Sequence, residues 1–174
     1  CWAKKDYDCA IAKGEALLAA AGSSAKAKYY KLLAYAYMDK GNLVPDEVTI
    51  NMLEAEVAKY PDAKGFIFDG FPRTVAQAEA LDSLLITKSS SISGMIALVV
   101  NDEELEKRLL NRGKASGRPD DANPEVIRKR IVEYNSKTAP VANYYKDQNK
   151  FTSINGIGTV DEIFESICTV VDTF

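Results

Sequence analysis

From residue 43 onward, short apolar runs alternate with stretches in which apolar side chains return every three or four positions. The runs at 65–68, 94–100 and 150–155 have the length and the apolar or β-rich character of strands. Helical spacing covers about 46–59, 74–86, 102–112, 123–147 and 160–173. This alternation predicts an α/β fold, a parallel sheet with flanking helices. In such sheets ligands sit beyond the carboxyl ends of the strands. Residues Asp69 to Arg73 follow the first run directly and stand at such an end.

The front of the chain has a different pattern. Residues 3–42 read as two helices, with Ala10, Ile11, Leu17 and Leu18 on the first and Tyr30, Leu33, Ala34 and Tyr37 on the second. Gly22-Ser23-Ser24 separates them and Gly41-Asn42 ends the pair. One reading is a surface helical hairpin. The other is a resemblance to the tetratricopeptide repeat, carried by Asp6-Tyr7-Asp8-x-Ala10-Ile11 and by Tyr30, Leu33, Ala34, Tyr37 and Gly41-Asn42. At most one repeat is present, whereas stacked arrays need about three. The resemblance implies helix packing or a protein partner bound through residues 1–42. The expected organisation is a helical hairpin at 1–42 followed by an α/β domain at 43–174.

The composition narrows the chemistry. The chain has 174 residues, a net charge of −3 and no histidine, so no basic surface invites nucleic acid and no histidine-based triad or zinc site can form. The longest apolar runs, such as 95–100, are too short to cross a bilayer, and no membrane partner is expected. No secretory signal is read, and Cys1, Cys9 and Cys168 lack metal or redox spacing. The expectation is reduced thiols in a cytoplasmic protein. The first residue is Cys, not Met, so the gene is expected to begin elsewhere.

The arginines give the sharpest signal. Asp69 ends an apolar run, where a carboxylate needs water, a partner or a metal. Gly70 allows close backbone approach, and the Arg73 fork suits a phosphate. Thr74-Val75-Ala76-Gln77 fits a capping box, Thr capping and Gln reaching back. Arg108 and Arg112 are like charges at i,i+4, a pairing that costs a few tenths of a kcal/mol unless an anion lies between them. Arg130 sits on the apolar side of the next helix, and Arg118 lies in a glycine-punctuated loop at 113–121. Together, Arg73, Arg108, Arg112, Arg118 and Arg130 suggest a cage for polyphosphate.

With these residues in view, 41–174 resembles adenylate kinase of the short-lid type. The resemblance is carried by Lys40-Gly41-Asn42-Leu43-Val44-Pro45-Asp46-Glu47, Asp69-Gly70-Phe71-Pro72-Arg73-Thr74-x-x-Gln77-Ala78, the stretch from Arg108 to Asp121, and Asn155-Gly156-Ile157-Gly158-Thr159-Val160-Asp161. It implies the reaction of Mg·ATP with AMP to give two ADP. It implies that the backbone of Asn42, Leu43 and Val44 and the side chain of Gln77 meet the AMP base, and that Gly70, Phe71, Pro72 and Arg73 hold its phosphate. It further implies that Arg108 and Arg112 contact ATP, that Arg118 and Arg130 clamp the transferring group, that the Gly158 backbone meets the ATP adenine, and that Asp69 orients magnesium through water. Arg112, Arg118 and Arg130 are the expected catalytic residues, and 113–121 is the expected lid. Long-lid relatives carry a cysteine zinc site there. This stretch has no cysteine, so magnesium with ATP is the expected cofactor and zinc is not.

The family's G-x-x-x-x-G-K loop is not found in the sequence. Lys13-Gly14 has the order reversed, and Gly113-Lys114 follows no strand. The Thr-Gly-Asp segment of the AMP site, expected within 1–40, is also not found. The expected fold is therefore kinase-like without its glycine-loop strand, the neighbour of the runs at 65–68 and 94–100. The chain reads as if its front had been exchanged, with a join inside 36–42. A natural fusion, a laboratory chimera and an assembly artefact all fit this pattern. An impaired phosphotransferase, a nucleotide-binding remnant and a helical interaction module are the three functional readings.

Overall fold

Side-chain caps start several of the helices. The Asp6 carboxylate accepts from the Cys9 N–H at 3.0 Å and starts α1, Tyr7–Ala20. The computed structural model describes residues 1–21, 23–39, 44–116 and 123–174. Ahead of α1 a 3₁₀ turn, Trp2–Lys4, folds back so that the N–H groups of Lys4 and Asp6 both donate to the Cys1 carbonyl at 3.1 Å. That turn brings Cys1 onto the first turn of α1, where it is disulfide-bonded to Cys9. The expectation of three free thiols is thus corrected, and only Cys168 is free. The 3₁₀ turn, invisible in cysteine spacing, makes the pairing possible.

Helices α2, Ser23–Asp39, and α3, Asp46–Val57, complete this part of the chain. Gly14 of α1 faces Leu33 of α2 so closely that a Cβ there would lie 3.0 Å from Leu33 Cγ. Leu33, Ala34 and Ala36 of α2 are buried. Burial, and then Glu47 and Glu54 of α3, push the Tyr30 hydroxyl above the ordinary tyrosine range.

The run at 65–68 is not a strand. Phe66 and Phe68 stack at 6.1 Å between ring centroids, and Ile67 is 99% exposed. A strand needs a neighbour to take its N–H and C=O groups. Among the described residues no strand pairs with this run.

Residues Cys1–Asp69 and Gly70–Phe174 form two compact units. In the second, α4, Val75–Thr87, leads to β1, Met95–Val99. Then follow α5, Asp102–Ser116, and α6, Pro124–Glu133, which begins at the Asn123 cap with Pro124 in its first turn. Through a π-helical segment, Tyr134–Thr138, α6 runs into α7, Ala139–Lys146. Strand β2, Phe151–Asn155, lies parallel to β1 with Met95 opposite Phe151 and Val99 opposite Asn155. Helix α8, Val160–Val171, closes the chain.

The result is a mixed α/β body with a small parallel sheet and flanking helices. Its core is Ala78 of α4 with Val141 and Tyr145 of α7, joined by Ile92, Met95, Tyr144 and Phe151. Beside it Asp82 of α4 accepts from Tyr144 Oη at 2.8 Å and from Gln148 Nε2 at 3.1 Å. This core and this hub hold α4 and α7 together, and α4 carries the first candidate residues at its amino end. Among the described residues no helix is long and apolar enough to cross a membrane.

Candidate functional site

The turn before α4 is built around Arg73. Gly70 has φ +67°, a conformation that favours glycine, and its carbonyl accepts from Arg73 Nε at 2.7 Å. A Cβ on Gly70 would stand 3.2 Å from the guanidinium. The intervening Phe71–Pro72 peptide is cis. Thr74 caps α4, its Oγ1 accepting from the Gln77 N–H at 3.1 Å. The Gln77 side chain, 5% exposed, accepts from the Arg73 N–H at 2.7 Å. The sequence pattern suggested a return to the cap residue itself; the structure sends Gln77 one residue further, to the main chain of the phosphate candidate. From the other side, Thr138 Oγ1 donates to the Arg73 carbonyl at 3.0 Å. Arg73 is therefore gripped at its N–H, its C=O and its guanidinium base while the side chain stays exposed.

A second cluster stands at the carboxyl end of β2. Arg108 of α5 donates through Nη1 to the Gly156 carbonyl at 2.8 Å and through Nε to Glu104 at 2.7 Å. The hydrogen bond from Arg108 holds the Glu104 carboxyl below the usual carboxylate range. Gly156 abuts the end of β1, where a Cβ would lie 2.7 Å from Val100 Cγ2. Gly158 has φ +148°, and the next residue, Thr159, begins α8 in a reciprocal capping box with Glu162. Arg108 and the loop holding Gly158, both candidates for the ATP side, are thus tied together by a hydrogen bond.

The remaining candidates are scattered over several elements. Arg112 is exposed on α5, about one turn beyond Arg108, and Arg130 is exposed on α6. Arg128 and Glu106, 3.5 Å apart, bridge these helices. Val44 is half-buried just ahead of α3, and Asp69 is exposed. Asn42, Leu43, Arg118 and most of the 113–121 lid lie outside the described residues. A lone exposed carboxylate such as Asp69 fits magnesium, which keeps most of its waters and reaches proteins through one or two carboxylates plus substrate phosphates. Among the described residues no group of three or more His, Cys, Asp or Glu stands ready to hold a metal ion.

The family model described as Adenylate kinase matches residues 4–150. The chain belongs to the adenylate kinase family. Among similar proteins, the adenylate kinase of Flavobacterium johnsoniae is 58% identical over 139 residues, covering 80% of this chain and 73% of that enzyme. That of Bacteroides fragilis is 51% identical over 140 residues, covering 80% and 74%. That of Maricaulis maris is 44% identical over 137 residues, covering 79% and 72%. The family match includes α1 and the last residue of the turn ahead of it, a stretch that also resembles a helical repeat.

For an adenylate kinase relative, three residues of these clusters escape a reading by motif. Glu104 lies four positions before Arg108, the favourable order for a helical ion pair, and that spacing was available in the sequence. Thr138 reaches Arg73 across 65 positions and gives no local signal. Asp82 is an acid on an apolar helix, and only the fold shows the hydroxyls that surround it.

Proposed function

We propose that this chain acts on nucleotides as an adenylate kinase does, moving a phosphoryl group between Mg·ATP and AMP to give two ADP. The observation that carries this reading is the Arg73 turn, whose main chain is held at both ends and whose guanidinium is left exposed for an anion. Family membership supports the reaction class. In this reading Gly70, Phe71, Pro72 and Arg73 hold the AMP phosphate, and Asn42, Leu43, Val44 and Gln77 meet its base. Arg108, Arg112 and the Gly158 backbone face ATP. Arg118 and Arg130 neutralise the charge spread over the transferring group, and the lid at 113–121 excludes water. Magnesium, entering with ATP and steered by Asp69 through water, would screen the β- and γ-phosphates. The catalytic task is alignment and charge stabilisation, which arginines supply without covalent chemistry.

The same reading includes the division of the chain at 42/43 and a cytoplasmic location. It also includes slow turnover, because the sequence contains no G-x-x-x-x-G-K loop. Loss of one preorganised donor costs about 10²–10³ in kcat, and that loop supplies several. A second reading, nucleotide binding without turnover, is supported by the same feature and by the unpaired run at 65–68.

A coupled ADP-formation assay with Mg·ATP and AMP, run beside Arg118→Ala, separates the two. The expected result is slow ADP formation that disappears in the variant. Activity no higher than in the variant leaves only nucleotide binding.

A further inference from the structure

Pro140 sets an unusual local geometry. It has no N–H, and inside a continuous helix its ring would clash with the carbonyl four residues back. The backbone responds by widening into the π segment Tyr134–Thr138, where the Ala139 N–H bonds the Tyr134 carbonyl in place of the usual α-helical partner. Such single-turn widenings recur at functional sites. In an ordinary helix the Thr138 hydroxyl would bond back to the Tyr134 carbonyl. Here the Tyr134 carbonyl accepts from the Ala139 N–H, and the Thr138 hydroxyl points out of the helical run and donates to the Arg73 carbonyl at 3.0 Å.

This bond joins two candidate groups. Arg130 lies about two turns before Thr138 on the same continuous helical run, and Arg73 is the residue that Thr138 grips. The other side of Arg73 is fixed by Gln77, and α4 and α7 are clamped by Asp82 with Tyr144 and Gln148. Without the hydroxyl, the Arg73 carbonyl would lose this bond from the segment leading into α7.

We propose that Thr138 is a positioning residue for the acceptor nucleotide: its hydroxyl, aimed by the Pro140-induced π segment, holds the Arg73 carbonyl and registers the phosphate-binding turn against the helix that carries Arg130. The proposal rests on the reading that Arg73 receives the AMP phosphate.

Two substitutions test it. Thr138→Val keeps the shape and removes the hydroxyl; Thr138→Ser keeps the hydroxyl. In the ligand-free protein, amide exchange at Arg73 should quicken by about tenfold in the Val variant, while core amides such as Leu81 and Tyr145 change little. AMP affinity, read by calorimetry, should fall about tenfold in the Val variant and recover in the Ser variant. In turnover, KM for AMP should rise while kcat holds. Unchanged Arg73 exchange, or equal acceleration of Arg73 and the core, would overturn the proposal. If wild-type protein binds no AMP, the monophosphate reading falls on its own, and the exchange pattern still decides whether Thr138 holds the turn.

Discussion

The Arg73 N–H donates to Oε1 of Gln77 at 2.7 Å, so the side chain expected to read the base also holds the main chain of the residue expected to hold the phosphate. In the proposed reading, this bond links base recognition to phosphate recognition. Gln77 is 5% exposed, and removing its amide would leave the Arg73 N–H without that acceptor. Gln77→Met, close in shape, should cost about 1 kcal/mol of stability and lower AMP affinity about tenfold. A denaturant melt and an AMP titration measure the two effects. Weakened melting with intact AMP binding would break the link.

The Asp82 hub predicts behaviour at high pH. Burial, followed by Asp82 and Tyr144, pushes the Tyr145 hydroxyl far above its ordinary value, and burial with the bond to Asp82 raises Tyr144. A raised folded-state value means the contribution is complete below the unfolded value, about 10, and is lost as pH rises toward the folded one. Absorbance of tyrosinate should show Tyr144 and Tyr145, like Tyr30, ionising above the ordinary tyrosine range, with Tyr145 ionising only as the protein unfolds. Tyr145→Phe should remove one of these late events. Smooth titration of all nine tyrosines near pH 10 with the fold intact would contradict this.

Asp82→Ala should destabilise by about 1–3 kcal/mol, since it strips an acceptor from the fully buried Tyr145 and from Tyr144. At roughly 2–4 °C per kcal/mol for a chain of this size, Tm should fall by several degrees. A melt unchanged within a degree would assign the hub no role in stability.

At low pH the relevant group is Glu104. Its carboxyl is held below the usual range by the Arg108 bond, so the pairing is present above the ordinary carboxylate value and is lost as pH falls through the lower, folded one. An NMR titration of Glu104 should give a depressed midpoint in wild type and a higher one in Arg108→Gln, with the remaining depression due to Lys107. Identical midpoints would place the cause elsewhere.

Gly158 has φ +148°, and a Cβ there would come within 3.0 Å of the Glu162 carboxylate that completes the α8 cap. Gly158→Ala should cost on the order of 1–3 kcal/mol of stability and weaken ATP binding more than AMP binding. Paired titrations with the two nucleotides check this, and equal losses would argue against a place for Gly158 on the ATP side.

The sequence made some of this legible and hid the rest for physical reasons. The starts of α4, α6 and α8 follow from Thr74, Asn123 and Thr159, because a cap acts within one turn. The run at β1 is apolar and that at β2 is β-rich, and they pair in parallel, as alternation with helices requires. The run at 65–68 is also apolar but has no partner strand among the described residues, and a ladder is not a local property. Cys1 and Cys9 meet through a 3₁₀ turn that no spacing rule reveals. The like charges of Arg108 and Arg112 were readable, and so was the i,i+4 spacing that pairs Glu104 with Arg108. The grip of Thr138 on Arg73 was not, since it joins distant segments through a helical irregularity.

The most direct test of the account is a calorimetric titration of AMP into wild-type protein and into Arg73→Ala, without ATP. Saturable binding in wild type, weakened roughly 10- to 100-fold in a variant that melts normally, is the predicted result for a lost charge-assisted contact. Equal affinity in the two proteins, or no binding in wild type, would contradict the assignment of the Arg73 turn to a nucleoside monophosphate.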